Sequence, residues 1–185
     1  FREENRYSEA IDTYIRLLDA FPSNIDYYYG IAESYLFLEN YYQAKKYYLK
    51  ILSFNEENSE VLFTLGKISN YLNNFYDAEQ FFLESIYCGE KNIETLIELG
   101  LAYGAQKKYL QALEAFKAAI SVNSDNPVLH YQLGVVYQEL EIFNLAINEY
   151  EKFLIKNQKD AVVYRMIGEC YYELLNYKQA TIYLK

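Results

Sequence analysis

Apolar residues return at every third or fourth position for three or four turns, stop at a short polar break, and then resume the same rhythm. Tyr28, Ile31, Ala32 and Tyr35 form one such stripe at the i, i+3, i+4, i+7 spacing, and Ala44, Tyr48, Ile51 and Leu52 form the next. Glu39 and Asn40 separate them, as Asn73-Asn74 and Lys107-Lys108 separate later pairs. The pattern predicts two helices per period. Only two prolines, Pro22 and Pro127, punctuate the chain, and the intervals between are rich in Leu, Ile, Ala, Glu, Lys and Tyr, which favours helix throughout.

The period itself is 34 residues. Ala10, Ala44, Ala78, Ala112, Ala146 and Ala180 recur at that interval, and three residues before each stands a ring: Tyr7, Tyr41, Phe75, Tyr109, Phe143 and Tyr177. With Ile25 as the first place, full units span 25–58, 59–92, 93–126 and 127–160, with partial units at 1–24 and 161–185. The eighth place reads Ala32, Gly66, Gly100, Gly134 and Gly168, each preceded by Ile or Leu. The eleventh reads Phe1, Tyr35, Ser69, Tyr103, Tyr137 and Tyr171, and the twenty-fourth Tyr14, Tyr48, Phe82, Phe116, Tyr150 and Leu184. Small residues at the eighth and twentieth places let helices approach closely, and the rings fill the space beside them.

These residues resemble the tetratricopeptide repeat family along the whole chain. The resemblance implies an all-α fold, a right-handed superhelical solenoid of antiparallel helix pairs, acting as a protein-interaction scaffold. The sequence departs from the family where a proline near the end of each unit survives only as Pro22. It departs again where the usually small twenty-seventh place holds Leu17, Ile51, Ser85, Ala119 and Phe153. Phe1 already falls inside a repeat, so the stretch is expected to be part of a longer chain. No targeting segment is visible within it, which leans towards the cytoplasm.

Charge and composition narrow the partners. Twenty-six acidic against seventeen basic residues give a formal charge of −9, which repels phosphate backbones and anionic lipid surfaces. No apolar run approaches a membrane span. The expected partner is therefore a protein or peptide, with no nucleic acid and no direct membrane insertion. The abundant tyrosines fall mostly in recurring packing places, and a base-stacking surface would need a basic groove.

Sites of chemistry are not expected in this segment. His130 is the single histidine and occupies the fourth place, a packing position. Cys88 and Cys170 hold unrelated places and have no ligand partner at metal spacing. The glycines form no phosphate loop. No catalytic residue, cofactor or metal is assigned, and the segment itself is not expected to be an enzyme.

In a stacked array the first helix of each pair lines the concave side, so contacts are expected from places 2, 5, 6, 9, 12 and 13 by analogy with the family. The candidate groove comprises Asp26, Tyr29, Glu33, Phe37, Glu60, Phe63, Tyr71, Glu94, Ile97 and Tyr131, acidic and aromatic towards the N-terminal half. Some family members clamp a tail carboxylate with Lys, Asn and Arg at such places; here three acids at place 2 would repel it. The expected ligand is an apolar and basic segment. Two alternatives stand beside it: a substrate-recruiting arm of a larger enzyme, and self-association through an exposed terminal face formed by Ala180, Tyr183 and Leu184.

Overall fold

The structure, a computed structural model, describes residues 2–89, 92–123 and 126–184; Phe1, read above in the eleventh place, lies outside them. The described residues form helices and turns with no strand. In order these are α1 (Arg2–Ala20), α2 (Ile25–Phe37), α3 (Tyr41–Leu52), α4 (Ser59–Tyr71), α5 (Phe75–Cys88), α6 (Ile93–Ala105), α7 (Tyr109–Val122), α8 (Pro127–Glu139), α9 (Phe143–Lys156), α10 (Ala161–Glu173) and α11 (Tyr177–Tyr183).

Many helix boundaries have a local cause. Asn24, Asn58 and Asn126 accept a backbone N–H through their side chains at the starts of α2, α4 and α8, and Asp160 accepts two at the start of α10. Asn92 accepts from the Glu94 N–H at 2.9 Å in the same way. The first helix of each pair ends in a reverse turn through a left-handed residue: Glu39, Asn73, Lys107, Glu141 and Leu175 have φ between 55° and 60°. Around Glu39 the turn is closed by Asn40 N–H to the Tyr35 carbonyl and Glu39 N–H to the Leu36 carbonyl, both 2.9 Å, and the other four turns repeat the pattern. This turn aims the second helix back along the first.

The chain divides into two compact units, Phe1–Glu98 and Leu99–Lys185. In the first, Ala32, Ala44, Tyr48, Ile51, Val61, Leu65 and Ile68 form a buried cluster. Ala44 and Ala78 have no exposed surface, and a Cβ on Gly66 would run into the ring of Phe82. The small residue at the eighth place thus seats the ring at the twenty-fourth. Successive hairpins are also tied by rings: Tyr7 stacks on Phe37 at 4.5 Å and Tyr41 on Tyr71 at 4.8 Å, both pairs 8° from parallel. Lys45 bridges α3 and α5 by a 2.7 Å ion pair with Asp77.

The second unit repeats this plan around buried Ala112, Phe116, Ala146, Tyr150 and Ile167. The Tyr150 hydroxyl donates to Gln138 Oε1 at 2.8 Å, and burial holds its pKa above the ordinary tyrosine value. His130 pairs through Nδ1 with Glu149 Oε2 at 2.7 Å, and Lys152 reaches the other oxygen at 2.7 Å, joining α8 to α9. Both cysteines are free thiols; burial pushes that of Cys170 up to about 11, the opposite of an activated nucleophile. The terminal face differs from its expectation. Ala180 is only 2% exposed because α10 covers it, and Tyr183 packs against Tyr171 at 5.5 Å, so the patch narrows to Leu184 and Ile182.

Candidate functional site

Nine of the ten candidate residues belong to the first unit, on α2, α4 and the start of α6, and Tyr131 belongs to α8 in the second. Asp26, Glu60 and Glu94 sit exposed in the first turns of their helices, where a carboxylate also complements the helix dipole. Glu33, one turn farther along α2, is exposed too. Among the described residues no cation pairs with any of these four carboxylates.

Rings lie between the charges. Tyr29 is half-buried, packs edge-on against Tyr48 at 6.4 Å, and accepts a hydrogen bond on its hydroxyl from Asn58 Nδ2 at 3.1 Å. Asn58 therefore does two jobs, capping α4 with its oxygen and fixing Tyr29 with its nitrogen. Phe63 leans on Phe82 at 6.0 Å, and the Lys67 ammonium lies 5.5 Å from its centroid. Phe37 and Tyr71 are 67% and 60% exposed, but each has one face covered by the stacked ring of the preceding hairpin. Ile97 is half-buried.

The structure brings Tyr29, Glu33 and Glu60 together around a residue outside the predicted set. Burial raises the Tyr48 hydroxyl pKa first, and then Glu33, Tyr29 and Glu60 raise it further, so the phenol remains protonated in an acidic setting. Asn70 was also missed: its Nδ2 donates to Glu98 at 3.2 Å while its buried Oδ1 has no partner among the described residues. A usable signal existed for Asn58, because Asn24, Asn58, Asn92 and Asn126 recur at the 34-residue interval. None exists for Tyr48, whose ring place marks it as core.

Hollows flank these residues. In the first unit a 320 Å³ cavity is lined by Arg6, Tyr7, Tyr14, Glu33, Ser34 and Phe37 among others, taking in two of the candidates. In the second, Tyr131 lines a 290 Å³ hollow with Val128, Phe153, Asp160 and Val162. Among the described residues no group of three or more His, Cys, Asp or Glu side chains is placed to hold a metal, and no helix is long and apolar enough to cross a membrane.

Comparison with known proteins gives the family. Residues 25–58 match the tetratricopeptide repeat model and residues 100–141 a second TPR repeat model, so both stretches carry tetratricopeptide repeats. No curated protein matches the chain. Among solved structures, MamA is 24% identical over 86% of this chain and 87% of its own, with a TM-score of 0.82. YrrB, described as a TPR protein with an unusual peptide-binding site, is 15% identical over 92% of this chain and 88% of its own, with a TM-score of 0.80. PilF of Pseudomonas aeruginosa is 20% identical over 96% and 90%, with a TM-score of 0.72. At these identities the likeness shows the helical-repeat solenoid fold, and the matched repeats serve in general as scaffolds for protein interaction.

Proposed function

We propose that the chain forms one array with full units at 25–58, 59–92, 93–126 and 127–160, and that its first compact unit grips an apolar and basic segment of a partner protein. Tyr29, Phe63 and Tyr71 receive apolar side chains, Ile97 widens the apolar floor, and Phe37 closes one edge. Asp26, Glu33, Glu60 and Glu94 meet lysines or arginines. Tyr131, in the second unit, offers a ring beside its own hollow. The supporting observation is that, among the described residues, four exposed carboxylates with no paired cation share the first helices with the rings of Tyr29, Phe63 and Tyr71. Rings in such a setting carry binding energy, while exposed charges set sign and association rate.

A labelled peptide alternating leucine and lysine, compared with the same peptide bearing glutamate for lysine, tests the reading by fluorescence anisotropy. Phe63→Ala and Glu60→Lys are each expected to weaken the lysine peptide by roughly 5-fold to 30-fold, about 1–2 kcal/mol. Equal binding by both variants and the unaltered chain would mean that these residues only solvate the surface.

A further inference from the structure

Two second helices of the first compact unit, α3 and α5, carry apolar side chains on their solvent side. Tyr42 and Leu49 are exposed on α3, as are Tyr76, Leu83 and Tyr87 on α5, and the three rings are 76%, 63% and 90% exposed. Steps of seven and four residues return to nearly the same side of a helix, so Tyr42, Leu49 and Ser53 share one face, and Tyr76, Leu83 and Tyr87 the corresponding one. The repeat does not impose this stripe. Its first two places, the eighteenth and twenty-fifth, read Ser8 and Ile15 in α1, Leu110 and Lys117 in α7, and Asn144 and Glu151 in α9.

Charge divides the same face in two. The helix α3 carries Lys45, Lys46 and Lys50 and no carboxylate, whereas α5 carries Asp77, Glu79 and Glu84 and no cation. Lys45 and Asp77 are already paired at 2.7 Å, and the Lys45 ammonium also lies 5.5 Å from the Phe81 ring, which fixes the two helices side by side. Lys50 and Glu84 remain. Both are exposed, both stand at the twenty-sixth place of their units, and neither has an ion-pair partner among the described residues.

We infer that this face pairs with the same face of a second copy of the chain, in a two-fold dimer where α3 of each copy lies along α5 of the other. A two-fold axis parallel to the helices brings equal places together. Tyr42 then meets Tyr76, Leu49 meets Leu83, Lys50 faces Glu84, and Tyr87 lies over the small Ser53, each contact occurring twice. A two-fold axis across the helices would instead set α3 against α3 and bring lysines together, so charge selects the first arrangement. A purely basic or purely acidic partner would match only half of the face, whereas a second copy matches both halves. Three rings burying on the order of 150–250 Å² each supply most of the ~800 Å² per partner that a specific interface covers. The face is built from second helices, so the inference does not depend on the first-helix residues assigned to a partner segment.

Sedimentation equilibrium of the full chain from about 1 to about 200 µM tests it, and a monomer–dimer equilibrium is expected within that range. Lys50→Glu and Glu84→Lys are each expected to weaken association about tenfold or more, because each sets like charges against one another twice. An equimolar mixture of these two variants should recover the association, since in the mixed pair every glutamate again faces a lysine. Tyr76→Ser is expected to weaken it about tenfold or more, while Phe63→Ala and Glu60→Lys leave it unchanged. All five side chains lie at least partly in solvent, and thermal melting at about 1 µM, followed by circular dichroism, checks that each variant is folded. The inference is overturned by a chain that stays monomeric throughout, by single charge variants that associate like the unaltered chain, or by a mixture that fails to recover. Association lost in Leu184→Ser but kept in Tyr76→Ser would move the contact to the terminal patch and overturn it as well.

Discussion

Backbone strain at five equivalent residues is the most regular feature at the residue scale. Glu39, Asn73, Lys107, Glu141 and Leu175 all adopt the left-handed conformation, and none is glycine. A side chain there opposes the following carbonyl oxygen by roughly 1–2 kcal/mol, part of which glycine returns through its freer unfolded state. Glu141→Gly is therefore expected to stabilise the chain by ~0.5–1 kcal/mol, read as a higher midpoint in urea with an unchanged slope. Ser69 is the second residue under penalty. It stands where four other hairpins carry tyrosine, it is fully buried, and its hydroxyl has no hydrogen-bond partner among the described residues. Removing an unsatisfied buried hydroxyl relieves its desolvation, so Ser69→Ala should stabilise by ~1 kcal/mol. A lower midpoint for Ser69→Ala would mean that the hydroxyl is satisfied.

Among the elements, the decisive packing is the nesting of one helix against the next at the recurring alanines. Ala44, Ala78, Ala112 and Ala146 have no exposed surface, so a branched side chain has no room. Ala112→Leu is expected to cost ~1–3 kcal/mol by overpacking, and a melting midpoint equal to that of the unaltered chain would refute the helix register. These alanines and the rings beside them were legible in the sequence because their 34-residue recurrence fixes a place within a hairpin. The contacts between hairpins were not. Phe37 and Tyr71 each lie under a ring from the preceding hairpin, which depends on how far one hairpin is shifted along the next, and a period carries no record of that shift. Tyr48 was legible as core, yet its environment joins Tyr29, Glu33 and Glu60, because a tyrosine long enough to cross the helix pair exposes its hydroxyl end to the far side's charges. The terminal patch was misjudged for a related reason: the alanine repeat marked Ala180 correctly as a nesting position, and α10 supplies the cover.

For the molecule as a whole, uneven charge has a consequence that can be read without any substitution. The surplus of carboxylates in the first unit creates a field that draws cationic segments, and added salt shortens its reach from roughly 10 Å at 0.1 M to about 3 Å at 1 M. Exposed pairs contribute ~0.2–1 kcal/mol each, so several of them together can carry a substantial part of the affinity of a lysine-bearing peptide. Raising salt from 0.05 to 0.5 M is thus expected to weaken the leucine–lysine peptide by about tenfold, mostly through slower association. The same peptide with serine in place of every lysine should change by less than about threefold, because burial of aliphatic surface does not depend on screening. Stopped-flow anisotropy at several salt concentrations measures both. Equal salt slopes for the two peptides would mean that the carboxylates of the first unit do not meet the lysines.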